Sequence, residues 1–390
     1  MGEEKPIEMP IEAQPEGFFD GLDTDKYVIG FYFAGLNPAL PVIDVAEMAA
    51  LEQSTGTWTP VPGETIELKI KRQAKVLGIW ETPEYVYTVP KEVDHRNMII
   101  AVGFPWENFG AQIPMLLSTV VGNISMGGRI KLMDLWFPKS WLKGFKGPKL
   151  GLKGIRTLMK IPKRPLLNNM IKPKTGYTPQ VGKDLFYGAA VGGTDCIKDD
   201  EIIAEPEYNK IADRVPLYME MAEKANKEKG EKTLYCCNIT DKVDKLLENA
   251  DTVKQAGGNA LLINYLAIGF DALRMVAEEP NTLPIMGHMD IAGAWSYSPI
   301  TGVSPTLIMS KLPRICGADI LLDPAPYGKA PILVDKFLMI AKRMQFPLQH
   351  IKPTMPMPSG GITAGHVDKV CNDLGFDIMI GSGGGKPIYN

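Results

Sequence analysis

Cysteine is scarce in this chain of 390 residues: there are five, and no two stand in CxxC spacing. Cys236 and Cys237 are adjacent, so on a strand they would face opposite sides. A disulfide framework is therefore excluded, and a reducing compartment, the cytoplasm, is expected. Long apolar runs are missing too. The longest candidate, residues 259–276, is interrupted by Asn264, Asp271 and Arg274, so no membrane span is expected. Neither sign of charge dominates, with 42 Lys and Arg against 45 Asp and Glu and a net charge of -3, which argues against a nucleic-acid binder. The opening stretch MGEEKPIEMPIEAQPEG is acidic and broken by proline, unlike a secretion signal. What remains is a 45% apolar chain, long enough for two domains and a sizeable core.

Residues 1–15 read as a loose lead-in. Residues 16–147 mix strand-like runs (Lys26–Phe33, Thr65–Val76, Tyr85–Val89, Met98–Phe104) with helical patches (Val42–Glu52, Ile113–Asn123), the pattern of an α+β domain. Between Pro138 and Lys174 stand eleven Lys or Arg and no acid. That stretch reads as a solvated connection between domains, or as an electropositive rim that steers an anionic substrate. It lacks the interleaved aromatics that stack on bases.

From residue 148 to the end, strand and helix alternate. The strand candidates are Asn168–Lys172, Gly192–Ile197, Thr233–Asn238, Ala260–Tyr265, Leu283–His288, Asp319–Asp323, Pro353–Pro358 and Asp377–Gly381, with starts 23 to 41 residues apart. Eight βα units predict a TIM barrel. An open doubly wound sheet is the alternative, but no glycine-rich dinucleotide fingerprint follows the first strand. Only nine residues follow Gly381, so the eighth helix is expected to be missing. Val243, Leu246, Leu247, Ala250 and Val253 form an amphipathic stripe; Ser304-Pro305 signals a helix start and Gly375 a helix end.

Barrel enzymes carry their chemistry at the C-terminal ends of the strands. Those positions hold Lys172 and Lys174, the run Lys198-Asp199-Asp200-Glu201, Asn238, Asn264, His288, Lys329, Ser359-Gly360-Gly361 and Gly383-Gly384-Gly385. Asp200 and Glu201 offer hard oxygen ligands to Mg²⁺, and a neutral lysine that takes up CO₂ becomes an anionic oxygen ligand. A charged helix start would look the same. The glycine pairs suit a phosphate cradle, although glycine turns are common. His288 is either structural or an acid/base group. Most of the twenty methionines are expected in the core.

Several segments resemble one family. GGTDCIKDDE (Gly192–Glu201) is similar to the metal-site segment of the RuBisCO large chain, and MIKPKTG (Met170–Gly176) to its catalytic-lysine motif. STGTWT (Ser54–Thr59) and VGN (Val121–Asn123) resemble its N-terminal site segments, while PSGGI (Pro358–Ile362) and SGGG (Ser382–Gly385) resemble its phosphate site. The resemblance runs from about residue 45 to 387 in consistent order. It implies an N-terminal α+β, ferredoxin-like domain, a C-terminal (β/α)₈ barrel and a homodimer with shared active sites. It also implies a carbamylated Lys198 that binds Mg²⁺ with Asp200 and Glu201. Lys172 would transfer protons, Lys174 would orient it, and His288 would contact substrate. Glu52, Thr57, Trp58 and Asn123 would come from the partner subunit. Ser359, Gly360, Gly361, Gly383 and Gly384, with Thr57 and Trp58, would hold a phosphate. Lys329 matches the mobile-loop lysine, in different surroundings (DPAPYGKAP).

Two departures bear on the reaction. In the carboxylases an arginine follows the fifth-strand histidine, where this chain has Met289, and a histidine stands where it has Leu322. Both would serve a second phosphate, and each lost charge-assisted bond is worth roughly 1.5–3 kcal/mol. The resemblance is therefore to the RuBisCO-like proteins of form IV. It implies an Mg²⁺-dependent enolase or isomerase of a ketose monophosphate, such as a methylthio-sugar phosphate of methionine salvage. The salvage enolases carry lysine where this chain has Asn123, which favours isomerisation or sugar-acid-phosphate decarboxylation. A true carboxylase and a non-catalytic sugar-phosphate binder are the remaining alternatives.

Overall fold

A computed structural model describes residues 10–14, 19–56 and 61–383. The chain divides into two compact units, Met1–Gly144 with Ala294–Leu307, and Phe145–Gly293 with Ile308–Asn390. No helix among the described residues is long and apolar enough to cross a membrane.

The first unit is built on strands β1 (Tyr27–Leu36), β2 (Lys75–Glu81), β3 (Arg96–Pro105), β4 (Arg129–Trp136) and, counting along the chain, β10 (Gly302–Val303), in the order β10-β4-β1-β3-β2. The order β4-β1-β3-β2 is the ferredoxin-like arrangement the resemblance implies. Central β1 pairs antiparallel with β3 and β4. Tyr32 lies over Gly30, where a Cβ would come within 2.7 Å of its hydroxyl and 2.8 Å of its ring, and that hydroxyl donates to Val120 O at 2.7 Å. That bond ties the sheet to the end of helix Ile113–Val120.

Three expectations need correction here. Thr65–Val76 is not a strand: Thr65 caps a helix, Ile66–Arg72, by accepting from the Leu68 amide at 3.2 Å, and β2 begins only at Lys75. The alternating Ile66, Leu68 and Ile70 mimic a strand, but the cap and the Glu67–Lys71 pair favour a helix. Tyr85–Val89 lies in turns and bends, with Tyr87 almost fully exposed. The lead-in is anchored in part, because Ala13 is buried and its carbonyl accepts from Gln73 at 3.2 Å. Strand β4 was not anticipated. Nor was the return of residues 294–307 to this unit, where β10 extends the sheet in parallel beside β4.

The second unit is the expected barrel. Its strands are β5 (Leu166–Met170), β6 (Cys196–Lys198), β7 (Leu234–Asn238), β8 (Ala260–Asn264), β9 (Ile285–His288), β11 (Ile320–Pro324), β12 (Met355–Ser359) and β13 (Met379–Ser382), all parallel, in the order β12-β11-β9-β8-β7-β6-β5-β13. The two ends of this ribbon meet where a Cβ on Gly381 would lie 2.8 Å from Ser359 Cβ. The segment that follows β13, and with it the expected loss of the eighth helix, lies outside the described residues.

The barrel is filled from within by Cys196, Cys236, Met286, Leu322, Met355, Met357 and Met379. Its N-terminal end is closed by helix Gly151–Met159, whose Leu152, Ile155 and Met159 join that core. The basic stretch carries the chain from the first unit to the second, at Gly144 and Phe145, and most of its lysines are exposed, but it is more than a solvated link. Its cations satisfy carbonyls and acids of the barrel: Arg156 donates to Asp377, Ile161 O, Arg164 O and Phe376 O, and Arg164 forks onto buried Asp195. Asp319 accepts from the amides of Leu150 and Gly151 at 2.7 Å each, which holds the plug in place.

Outside the strands, helices Pro179–Val191 and Ile211–Lys229 approach closely at Gly182, where a Cβ would fall 1.8 Å from the Tyr218 hydroxyl. Overpacking of this kind costs about 1–3 kcal/mol. Gly182→Ala should lower the urea midpoint accordingly, and adding Tyr218→Phe should restore part of the loss. A Gly182→Ala protein as stable as wild type would show that the helices separate freely.

Candidate functional site

β6 ends in the barrel at Lys198, and the next three residues are acids. Alternation along the strand sends Cys196 and Lys198 inward and Ile197 and Asp199 outward. Asp199 is fully buried and serves the outer layer. Its Oδ2 accepts from Arg214 Nε at 3.2 Å, from Arg214 Nη2 at 3.0 Å and from the Asn238 amide at 2.9 Å; its Oδ1 accepts from the Tyr235 hydroxyl at 2.8 Å. Arg214, equally buried, also donates to Asn209 O at 2.8 Å and Asn238 O at 3.3 Å. Asn238 Nδ2 reaches Asp200 O at 3.3 Å and Glu201 O at 3.2 Å, and Asn264 Nδ2 reaches Glu201 O at 2.7 Å. The backbone from 198 to 201 is thus held from two sides.

On the inner side, Lys198 is 1% exposed, and its Nζ donates to Asp199 O at 2.9 Å and Glu201 Oε2 at 3.3 Å. Burial holds its amine below the ordinary lysine range, against the opposing pull of Glu201 and Asp200. Lys172 Nζ donates to Asp200 Oδ2. Asp200 Oδ1 is buried with no hydrogen-bond partner among the described residues. Glu201 faces His288 Nε2 at 3.3 Å, and its Oε1 lies 3.9 Å from Lys174. His288 Nδ1 accepts from the Asp290 amide at 3.1 Å, so the neutral ring carries its proton on Nε2 and presents it to Glu201. That hydrogen bond, followed by the nearby Lys198, holds the Glu201 carboxyl far below the usual range despite its burial.

These side chains line a cavity of 730 Å³ at the C-terminal ends of the strands. Lys172, Lys174, Lys198, Glu201 and His288 form its polar part; Met170, Met289, Leu322 and Pro324 form an apolar part. Lys329, Ser359, Gly360, Gly361 and Gly383 complete the lining. Gly360 and Gly361 have φ values of +104° and +91°, where side chains are strained, and the Lys329 amide donates to Gly360 O at 2.7 Å. The glycine turn therefore fastens the loop that carries Lys329.

The structure thus gathers Lys172, Lys174, Lys198, Asp200, Glu201, His288, Lys329, Ser359, Gly360, Gly361 and Gly383 at one barrel end. Glu52 and Asn123 belong to the other unit, where Asn123 Nδ2 donates to Glu52 Oε1 at 3.3 Å. Thr57, Trp58 and Gly384 lie outside the described residues. Among the described residues no three His, Cys, Asp or Glu side chains come together as a metal cage. A cation site here needs Lys198 as its third donor. The free Asp200 Oδ1, the adjacent Glu201 and a buried amine beside both fit that requirement. Arg214 and Tyr235 were missed in the sequence, where one arginine in an amphipathic helix carries no signal of its own.

A fold of this kind, with lysines and carboxylates at the barrel mouth, defines a class. The sequence model described as the ribulose bisphosphate carboxylase large chain, N-terminal domain, matches residues 23–141, and that of its catalytic domain matches residues 151–330. The chain belongs to the RuBisCO large-chain family. It is 52% identical to a ribulose bisphosphate carboxylase-like protein of Archaeoglobus fulgidus, over 96% of this chain and 86% of that one. It is 36% identical to a 2,3-diketo-5-methylthiopentyl-1-phosphate enolase of Bacillus anthracis, over 87% of this chain and 83% of the relative. The crystal structure of a rubisco-like protein (MtnW) from Alicyclobacillus acidocaldarius matches with a TM-score of 0.84 at 30% identity, covering 92% and 88% of the two chains.

Removing one member of a buried ion pair costs about 3–5 kcal/mol, because the other charge stays uncompensated. Arg214→Met should therefore destabilise the protein by that amount in urea titration. The double variant with Asp199→Asn should recover much of it. Equal stability of the single and double variants would mean that Asp199 is not held as an anion.

Proposed function

We propose that this protein is an Mg²⁺-dependent enzyme that removes a proton next to the carbonyl of a ketose monophosphate, leading to enolisation or isomerisation without addition of CO₂. The division of the cavity lining carries this reading. The glycine turn at Gly360 and Gly361 suits one phosphate, whereas a second phosphate would meet Met289 and Leu322, which offer no donor. An unpaired dianion against apolar walls is prohibitively costly. The apolar part suits an uncharged end of the substrate, such as the methylthio group in the name of the Bacillus anthracis relative.

Lys198, once its neutral amine has added CO₂ and released a proton, would hold Mg²⁺ together with Asp200 and Glu201. The bound ion would supply Lewis acidity at the substrate carbonyl oxygen. Burial of Lys198 supports this assignment, because it favours the neutral amine that carbamate formation consumes. Lys172, half-exposed at the cavity edge, moves the proton, and Lys174 orients it. His288, with its proton on Nε2, donates a hydrogen bond to a substrate oxygen. Lys329 closes over the phosphate end. Glu52, Thr57, Trp58 and Asn123 complete the site from the other subunit of a homodimer. Asn123 bonds to Glu52 and brings no amine, which favours isomerisation, or decarboxylation of a sugar-acid phosphate, over the mechanism of the salvage enolases. The gathering of Lys172, Lys198 and Glu201 in one cavity, with Asp200 bonded to Lys172 behind them, argues against a silent binding protein.

Ketose monophosphates screened in D₂O should include one that gains deuterium next to its carbonyl only with Mg²⁺ and CO₂ present. Lys198→Ala should abolish that exchange while the far-ultraviolet circular dichroism shows the chain still folded, even with the melting temperature lowered by the loss of a buried partner of Glu201. Exchange that survives in Lys198→Ala, or labelled bicarbonate fixed from ribulose bisphosphate at an ordinary enzymatic rate, would refute the proposal.

The shared site has its own test. Lys172→Ala spoils the barrel half and Asn123→Ala the N-terminal half, so a mixed dimer carries one intact and one doubly altered site. With random subunit exchange, about a quarter of wild-type activity should return in an equal mixture. No recovery, once mass measurement has confirmed mixed dimers, would place the whole site within one chain.

A further inference from the structure

Lys329 stands on the loop between β11 and helix Val334–Gln345, and contacts within the chain hold that loop. At its root Ala325 is fully buried, and its amide donates to Ser359 O at 2.8 Å. Tyr327, two residues on, does not line the cavity; it packs against the separate core of Phe337, Ile362 and Val370. Its ring meets Phe337 edge to face with centroids 5.7 Å apart, and its hydroxyl donates to Asp373 Oδ2 on helix Val367–Leu374. Lys369, one turn earlier on that helix, lies 4.9 Å from the Tyr327 ring centroid and 3.4 Å from the same carboxylate oxygen. Gly328 then rests on the glycine turn of β12. A Cβ there would fall 2.2 Å from Gly360 O and 2.6 and 2.8 Å from Gly361 C and Cα, so the approach requires glycine. The Lys329 amide follows directly, 2.7 Å from Gly360 O.

Segments that move have few buried contacts and backbone groups open to water. Residues 325–329 have the opposite: two backbone hydrogen bonds to β12 and its turn, a close glycine contact and an anchored aromatic ring. Packing on Phe337 needs the Tyr327 ring alone. The hydroxyl adds direction, because Asp373 lies at one point on the neighbouring helix, and a phenol on a carboxylate makes a charge-assisted bond, roughly twice as strong as a neutral one. A lysine whose backbone is already ordered loses less freedom when it meets an anion.

We propose that Tyr327 is a positioning residue for Lys329: it anchors the loop to Asp373 before any ligand arrives, so that Lys329 waits beside the Gly360–Gly361 turn and only its side chain has to move onto a phosphate. The role toward phosphate rests on the function proposed above. The anchoring itself does not.

Trypsin tests the anchoring in the full chain, because cleavage after Lys329 requires the loop to leave the barrel. Fragments 1–329 and 330–390, identified by mass, should form at least fivefold faster from Tyr327→Phe than from ligand-free wild type. Asp373→Ala should match Tyr327→Phe, Asp373→Asn should fall between, and Gly328→Ala should be cut as fast or faster. Inorganic phosphate should change the wild-type rate less than twofold. Equal rates in wild type and Tyr327→Phe, or rapid cleavage of wild type that phosphate suppresses, would overturn the proposal. Positioning has a separate readout in the phosphate dissociation constant, measured by calorimetry. It should rise at least threefold in Tyr327→Phe and in Lys329→Ala and no further in the double variant, because Tyr327 acts through Lys329. Additive losses would mean that Tyr327 supports only the local fold. Should wild type bind no phosphate, the phosphate reading of the cavity fails, and the trypsin rates still decide the anchoring.

Discussion

Lys198, Asp199 and Asp200 bury one positive and two negative charges with almost no access to water, and the arrangement stands because each has a partner of opposite sign. A strand sends neighbouring side chains to opposite faces, so three acids in a row cannot all serve one cavity. Asp199 goes outward and would be an isolated charge in a low dielectric were Arg214 not beside it. With that pair formed, Tyr235 and Asn238 close around it and the strand end loses its freedom to turn. The inward geometry of Lys198, Asp200 and Glu201 depends on this outward lock. The acidic run is one unit with two faces, one structural and one chemical.

The inner face shows the converse economy. Two carboxylates, Asp200 and Glu201, are shared among Lys172, Lys174, Lys198 and His288. Each of these donors is held by a contact that a stronger ligand of the carboxylates could take over. Lys172 sits on one carboxylate oxygen while the other has no partner among the described residues. Such a site can exchange partners without rebuilding its backbone, which Asn238 and Asn264 hold independently.

Much of this was legible in the sequence, and the reasons differ from place to place. The barrel strands are short apolar runs with polar ends, so all eight were found to within about four residues at their starts, and the site residues at their ends followed. The failures share a physical cause. Thr65–Val76 alternates like a strand, and the helix shows only in the Thr65 cap and the Glu67–Lys71 pair. The basic stretch does link the two units and most of its lysines are exposed, but charge was taken as exposure throughout; Arg156 is 8% exposed, its guanidinium spent on carbonyls beneath the barrel. Residues 294–307 sit between two barrel strands in sequence yet join the other unit through the short pairing of β10 with β4. Long-range pairing of two residues leaves no local pattern. Arg214 escaped for the same reason: its meaning lies in Asp199, fifteen residues away on another element.

The family frame and the cavity together narrow the chemistry more than either alone. The frame supplies the lysines and acids, and these are compatible with several reactions that begin by removing a proton beside a carbonyl. The cavity supplies the limit. Met289 and Leu322 are embedded in or packed against the barrel core, so they cannot swing aside to admit a hydrated anion without opening that core. A charged group at that end would lose its water and gain no donor, whereas an apolar group would gain contact. The same two side chains therefore disfavour a bisphosphate and favour a substrate with one charged and one apolar end. Selectivity of this kind comes from cost imposed on the wrong ligand as much as from contact with the right one. It leaves Lys172, Lys174 and Lys198 in place at the cavity's polar end, so under the proposed reaction a change of substrate does not require a new set of charged groups.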